Sequence, residues 1–182
     1  MKRIQKRRDG ISQGYWVKRR VQKKGKIVET RSGGLVKRTA NFIVKKLTPF
    51  SKKIMIAGSI RRKVPGPIDI DIVLIPKDKQ KIYSQFAMLD TVRSGPKSIS
   101  ARVRGISVDV YFADEGDWGA MLLTYTGSYG HNIGLRKIAQ TKCMLLNQYG
   151  LWKNGKRIAG DTEESIYTAL DRPRYKQPEE RQ

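Results

Sequence analysis

Residues 58–75 read GSIRRKVPGPIDIDIVLI. From Ile68 to Ile75 the pattern is that of a largely buried strand, interrupted by two carboxylates, Asp69 and Asp71. Residues i and i+2 of a strand lie on one face, so both acids project together. Two adjacent carboxylates repel, and partial burial raises the cost of ionising both. Lys or Arg partners would offset that cost. A divalent ion does so better, and hard oxygen ligands with no His or Cys nearby favour Mg²⁺, with Mn²⁺ as the alternative. A solvated edge strand with its acids in water is the plain alternative, and the surrounding Ile and Val residues oppose it.

The flanking residues fit the same chemistry. Gly58-Ser59 follows a short apolar run, KIMIA (53–57), and is expected to open a helix whose free N–H groups, with the Ser59 hydroxyl, face an anion. Arg61 and Arg62 follow, one of them in reach of a phosphate. Asp109 lies in a second alternating segment, ISVDVYF (106–112). If that strand neighbours the first, Asp69, Asp71 and Asp109 converge, and three carboxylates can hold two Mg²⁺ ions about 3.5–4 Å apart, the arrangement that clamps both oxygens of an in-line phosphoryl displacement.

The bulk composition points to the partner. Of 182 residues, 38 are Lys or Arg and 16 are Asp or Glu, a net charge of +22. Such an excess favours a polyanion, nucleic acid first; a ribosome-associated or thermophilic basic protein is the blander reading. The charge is concentrated in residues 1–34, where twelve Lys or Arg face only Asp9 and Glu29. There YWVKRRV and KIVETR flank QKKG as a candidate hairpin, and Lys18, Arg19 and Arg20, beside Tyr15 and Trp16, are candidate DNA contacts. A flexible solvated arm is the competing description. No run approaches the ~20 apolar residues of a membrane span, and no apolar segment follows the N-terminal charges. A cytoplasmic, nucleoid or viral setting without membrane contact is therefore expected. Cys143 alone supports no internal disulfide.

Elsewhere, LVKRTANFIVKKL (35–47) reads as a helix burying Leu35, Thr39, Phe42, Ile43 and Leu47, ended by Pro49. Strands are expected at 98–104 and 106–112 about Gly105, and helices at 117–124 and 129–142. Asn154-Gly155 signals a hairpin, and Thr162 caps a final helix over 163–170. The fold class is α+β: a basic arm (1–34), a mixed α/β domain (35–115) and a smaller, mainly helical subdomain (116–182).

Together GSIRR, DID and Asp109 resemble the nucleotidyltransferase superfamily. The C-terminal half narrows this to the family X DNA polymerases, and the size is similar to that of small viral members built of palm and thumb. TYTGS (124–128) resembles the turn joining palm to thumb, LLNQYGLW (145–152) a Leu-Asn-x-Tyr-Gly-Leu segment, and RYKQPEER (174–181) a C-terminal Tyr-basic-x-Pro stretch. The resemblance implies a monomeric DNA-directed DNA polymerase adding deoxynucleotides to a primer 3′-OH, in short-gap repair, with a template-independent or RNA- or protein-modifying nucleotidyltransferase as the alternative. It implies Asp69, Asp71 and Asp109 as metal carboxylates. Gly58, Ser59 and Arg62 are implied as triphosphate ligands, Thr124, Tyr125, Gly127 and Asn132 as nucleotide contacts, and Arg136 as a template contact. Arg61 reads as a surface or packing residue and His131 as an exposed one. The sequence departs from the family at Thr124, where Tyr or His is frequent, at Tyr125 (Phe), at Ser107 (a primer-gripping Arg) and at Cys143 (Gly). Residues 1–34 match neither the lyase nor the helix-hairpin-helix domain of larger relatives.

Overall fold

The computed structural model describes residues 33–87 and 89–181. The basic arm, with its expected hairpin and Lys18, Arg19 and Arg20, lies outside the described residues.

Helix α1 (Gly33–Leu47) buries Val36, Thr39, Ala40, Ile43 and Leu47. Thr39, Ile43 and Leu47 are buried as expected and Leu35 packs against the core; Phe42 is the correction, 43% exposed, with Val36 and Ala40, one turn apart, taking core positions. Pro49 lies in a 3₁₀ turn, Thr48–Phe50, that leads into the first strand.

Strands β1 (Ser51–Ile56), β2 (Asp69–Pro76), β3 (Asp90–Gly95), β4 (Ser98–Val103) and β5 (Ile106–Phe112) form one sheet in the order β1-β2-β5-β4-β3. Its β2–β5 pair is parallel and the other pairs are antiparallel. A one-turn helix, α2 (Gly58–Arg61), lies between β1 and β2. Helix α3 (Lys79–Phe86) and strand β3 have no counterpart in the sequence reading. Helix α3 buries only Ile82 and Phe86, and it is started by Asp78, whose side chain accepts from the Lys81 N–H at 3.0 Å. So short and polar a helix leaves little periodic signal.

Alternation along β2 gives the sheet two different faces. Ile70, Ile72 and Leu74 join Ile99, Val108, Val110 and Phe112 in the core beneath α1 and α3. Val73 and Ile75 point the other way, into a second cluster with Ala57, Ala113, Met121 and Leu122. The last two belong to helix α4 (Trp118–Thr126). Asp69 and Asp71 share the face of Val73 and Ile75, nearer the start of the strand, where they are half-buried.

The C-terminal part contains α4, α5 (Tyr129–Thr141), β6 (Leu145–Asn147), β7 (Gly150–Lys153), β8 (Lys156–Ala159) and α6 (Glu163–Ala169). The expected hairpin turns at Asn154 and Gly155, with φ of 50° and 75°, the left-handed pair of a two-residue turn. It belongs to a three-stranded sheet, β6-β7-β8. Thr162 caps α6, accepting from the Ser165 N–H at 2.9 Å. This part has its own core, including Leu123, Leu135, Leu146, Leu151, Ile166 and Tyr167. Gly119 is required where α4 meets the start of α6: a Cβ there would collide with the Thr162 backbone. Among the described residues, no helix is long and apolar enough to cross a membrane.

Candidate active site

The parallel register sets Asp71 opposite Asp109 and Asp69 opposite Ser107. Adjacent strands lie about 5 Å apart, and two full charges at that spacing repel by about 3 kcal/mol at an effective dielectric constant near 20. The three acids share one face and are all half-buried. None of them stands without an interaction partner. Asp109 is held from the neighbouring strand: Ser100, its register partner on β4, donates its hydroxyl to Asp109 Oδ1 at 2.5 Å. Among the described residues, no three His, Cys, Asp or Glu side chains are grouped closely enough to hold an ion alone.

This face carries a negative potential. Tyr111, next on β5 along the same face, has its phenol pKa raised by burial and by the charges of Asp71 and Asp109. Tyr125, at the end of α4, stacks on it with ring centroids 3.5 Å apart and planes at 13°. Burial, then Tyr149 and the two aspartates, push Tyr125 up to about 12. Both phenols are neutral at physiological pH.

The turn entering α2 closes over Asp71. The Ala57 N–H donates to the Asp71 carbonyl at 2.8 Å. Gly58 has φ of +60°, and a Cβ on it would collide with the Asp71 carboxylate, so glycine is demanded twice. Ser59 Oγ is buried with no hydrogen-bond partner among the described residues. A buried hydroxyl without a partner is costly, and Ser59 directly follows Gly58, whose backbone closes on the Asp71 carboxylate.

Arg62 and Arg61 both reach the C-terminal part. Arg62 donates to the Thr126 carbonyl and packs beside Gly127. One nitrogen of its five-donor guanidinium is thus engaged in holding the turn. Of the two expectations for Arg61, surface or packing, the structure shows packing: it is a clamp between the two parts. It donates to Thr126 Oγ1 at 2.8 Å and to both Glu163 oxygens at 2.9 and 2.6 Å. Glu163, only 4% exposed, also accepts from Arg181 at 2.7 Å and from the Tyr175 hydroxyl at 2.7 Å. The sequence reading missed Glu163 and Arg181. Glu163 sits at an ordinary first-turn position, and RYKQPEER gave no hint of its partners.

On α5, Asn132 Nδ2 donates to the Thr124 carbonyl at 2.8 Å, tying the helix to the last turn of α4. Ser128 caps α5, accepting from the His131 N–H at 3.3 Å. His131 is half-buried, against the expectation of exposure: its Nε2 lies 2.5 Å from the Tyr167 hydroxyl. Burial and the Arg181 charge lower its pKa to about 4. Arg136, one turn beyond Asn132, makes no hydrogen bond or ion pair among the described residues.

The comparisons with known proteins agree with this architecture. Residues 121–182 match the family model for the DNA polymerase beta thumb. Over 136 residues the chain is 29% identical to the DNA polymerase/3′-5′ exonuclease PolX of Bacillus subtilis (strain 168), which covers 70% of this chain. The chain spans about a quarter of that relative, 24% of its length. Among solved structures, it superposes on Leishmania infantum polymerase beta in a ternary P/T complex with a TM-score of 0.70 and 21% identity, covering 84% of this chain and 76% of the other. For the ternary gap complex of the same polymerase the values are 0.68, 20%, 82% and 70%. The fold is a mixed-sheet palm followed by a thumb. Residues 121–182 are thus similar to the polymerase beta thumb, and the fold of residues 33–87 and 89–181 to that of polymerase beta.

Proposed function

We propose that this chain is a DNA-directed DNA polymerase that adds deoxynucleotides to a primer 3′-OH and fills short gaps during repair. The observation that carries this reading is the facing pair Asp71 and Asp109 on adjacent parallel strands, with Asp69 two residues away on the same face and the Gly58-Ser59 turn closed over Asp71. In this reading residues 35–115 are the palm and 116–182 the thumb.

The donor set suits Mg²⁺, which is held by one or two carboxylates and completed by water and substrate phosphate oxygens. Such a site needs no cage made of protein alone. Asp69, Asp71 and Asp109 would hold one ion, and Asp69 and Asp71 a second; Mn²⁺ fits the same oxygens. When bound, these ions lower the pKa of the primer hydroxyl and neutralise charge on the leaving group. The chain's own residues do the rest. Ser59 and Arg62 bind the triphosphate beside Gly58. Thr124, Tyr125, Gly127 and Asn132 position the sugar and base, and Arg136 contacts the template. The primer oxygen bonds to the α-phosphorus as the bond to the bridging oxygen breaks and pyrophosphate leaves; the hydroxyl proton passes to Asp109 or to water.

Primer extension on a one-nucleotide gap tests this, with each deoxy- and ribonucleotide supplied singly and the template base varied. Incorporation that follows the template base is the expected result. Addition indifferent to the template would move the chain to a template-independent nucleotidyltransferase, and no addition with Mg²⁺ or Mn²⁺ would end the enzymatic reading.

A further inference from the structure

Helix α1 lies across the sheet from the three aspartates, its buried side packed on Ile70, Ile72 and Leu74. Its outer side exposes Lys37, Arg38, Asn41, Phe42, Lys45 and Lys46, and the helix contains no Asp or Glu. Among the described residues, none of Lys37, Arg38, Lys45 and Lys46 forms an ion pair. Phe42 sits between the two basic pairs, with Lys46 Nζ 5.2 Å from its ring centre and Arg104, from the β4–β5 turn, at 5.4 Å.

The folded domain gains little from this arrangement. Lys45 and Lys46 complement the negative end of the helix, but Lys37 and Arg38 stand in its first half, where the dipole gives cations no advantage. Four cations spread over the exposed half of the helix, about 180° of its circumference, with no acid among them, repel. The spacing is also regular: the two basic pairs are eight residues apart, about 12 Å along a helix axis at 1.5 Å per residue. That is about the width of the B-DNA major groove (~12 Å), which has phosphates on both lips.

We propose that the outer face of α1 is a second binding site for the phosphodiester backbone of duplex DNA, Lys37 and Arg38 meeting one lip of a groove and Lys45 and Lys46 the other. It rests on the reading that DNA is the partner, but not on catalysis. DNA held at the aspartate face and DNA held at α1 lie on opposite sides of one sheet, so the chain binds two duplex segments or one that bends around the sheet edge.

The test is fluorescence anisotropy of a labelled gapped duplex over a salt series, without nucleotide or divalent ion, so that its outcome stands whether or not the chain extends a primer. The variant is Lys37→Gln, Arg38→Gln, Lys45→Gln and Lys46→Gln together. All four positions are exposed, and an unchanged thermal midpoint verifies folding. Each lost phosphate contact removes about 0.9 from the slope of log K against log salt. A slope shallower by about 3 to 4, with binding about tenfold or more weaker, supports the site. A control with Lys77→Gln, Lys153→Gln and Lys156→Gln, equally exposed, changes the slope by less than about 1. An unchanged slope in the α1 variant, an equal loss per residue in the control, or a loss seen with an RNA duplex and not with DNA would each overturn the proposal.

Discussion

Replacing Glu163 by Gln keeps the shape of the side chain and removes its charge. The carboxylate is nearly inaccessible and receives both nitrogens of Arg61, one of Arg181 and the Tyr175 hydroxyl. Arg181 is itself fully buried. The substitution strands one guanidinium inside the protein and a second at its edge, and turns two acceptor oxygens into one acceptor and one donor group that faces donors. Breaking a buried ion pair from one side costs about 3–5 kcal/mol. In a chain of this size each kcal/mol lowers the melting temperature by about 2–4 °C, so a fall of about 6–20 °C is expected. Burial alone would push the Glu163 carboxyl upward, but hydrogen bonds and charges from Arg61 and Arg181 reverse this and hold it below the ordinary glutamate value. A carboxylate whose folded pKa is depressed stabilises the fold fully above its unfolded pKa, and the gain is lost as pH falls through the folded one. The gap between wild type and Glu163→Gln is therefore widest at neutral pH and closes below about pH 4, near the reference glutamate value. Urea denaturation of both proteins across pH 3–7 measures it. A gap under about 1 kcal/mol at pH 7, the size of an exposed surface pair, or one that widens with acid, would refute the buried-clamp account.

Three further outcomes are expected. Asp71→Ala lowers single-turnover incorporation at least about a hundredfold, the scale of losing a transition-state electrostatic contact, without weakening DNA binding in a filter or anisotropy assay, because phosphate contacts dominate affinity. Ser59→Ala removes a buried hydroxyl that has no partner among the described residues, so the melting temperature holds or rises while the KM for nucleotide increases; a marked loss of stability would show the hydroxyl to be structural. His131 titrates by NMR with a midpoint near 4. Its lowered pKa means that the unfolded chain binds the proton first, so its contribution to stability is complete above about pH 6.5 and drains away as pH falls toward 4; a midpoint at the unperturbed value would contradict the buried contact with Tyr167.

The sequence disclosed the features that depend on a two-residue period. Asp69 and Asp71 read as one-faced because strand geometry leaves no other choice, and Asp109 needed only the adjacency of β2 and β5 to join them. Asn154-Gly155 and Thr162 were equally legible, since a turn or cap states its geometry in two or three residues. Long-range polar partners were not. Arg61 lies 102 positions from Glu163, and nothing local in either segment announces the pairing. The same is true of His131, whose contact with Tyr167 crosses from α5 to α6. Phe42 misled for a different reason: hydrophobicity placed it inside, whereas Val36 and Ala40 fill that narrow space and leave its ring to Lys46 and Arg104.

Helix α4 gives adjacent residues to different neighbours. Met121 and Leu122 lie over Val73 and Ile75 of the large sheet, while Ala120 and Leu123 are buried with Leu135, Leu151 and Ile166. One wall thus serves two rooms. A fragment cut at residue 115 would leave Val73, Ile75 and Ala113 bare, and one starting at 127 would lose Ala120 and Leu123 from its interior. Neither half can be excised cleanly, and denaturation should run as a single cooperative event.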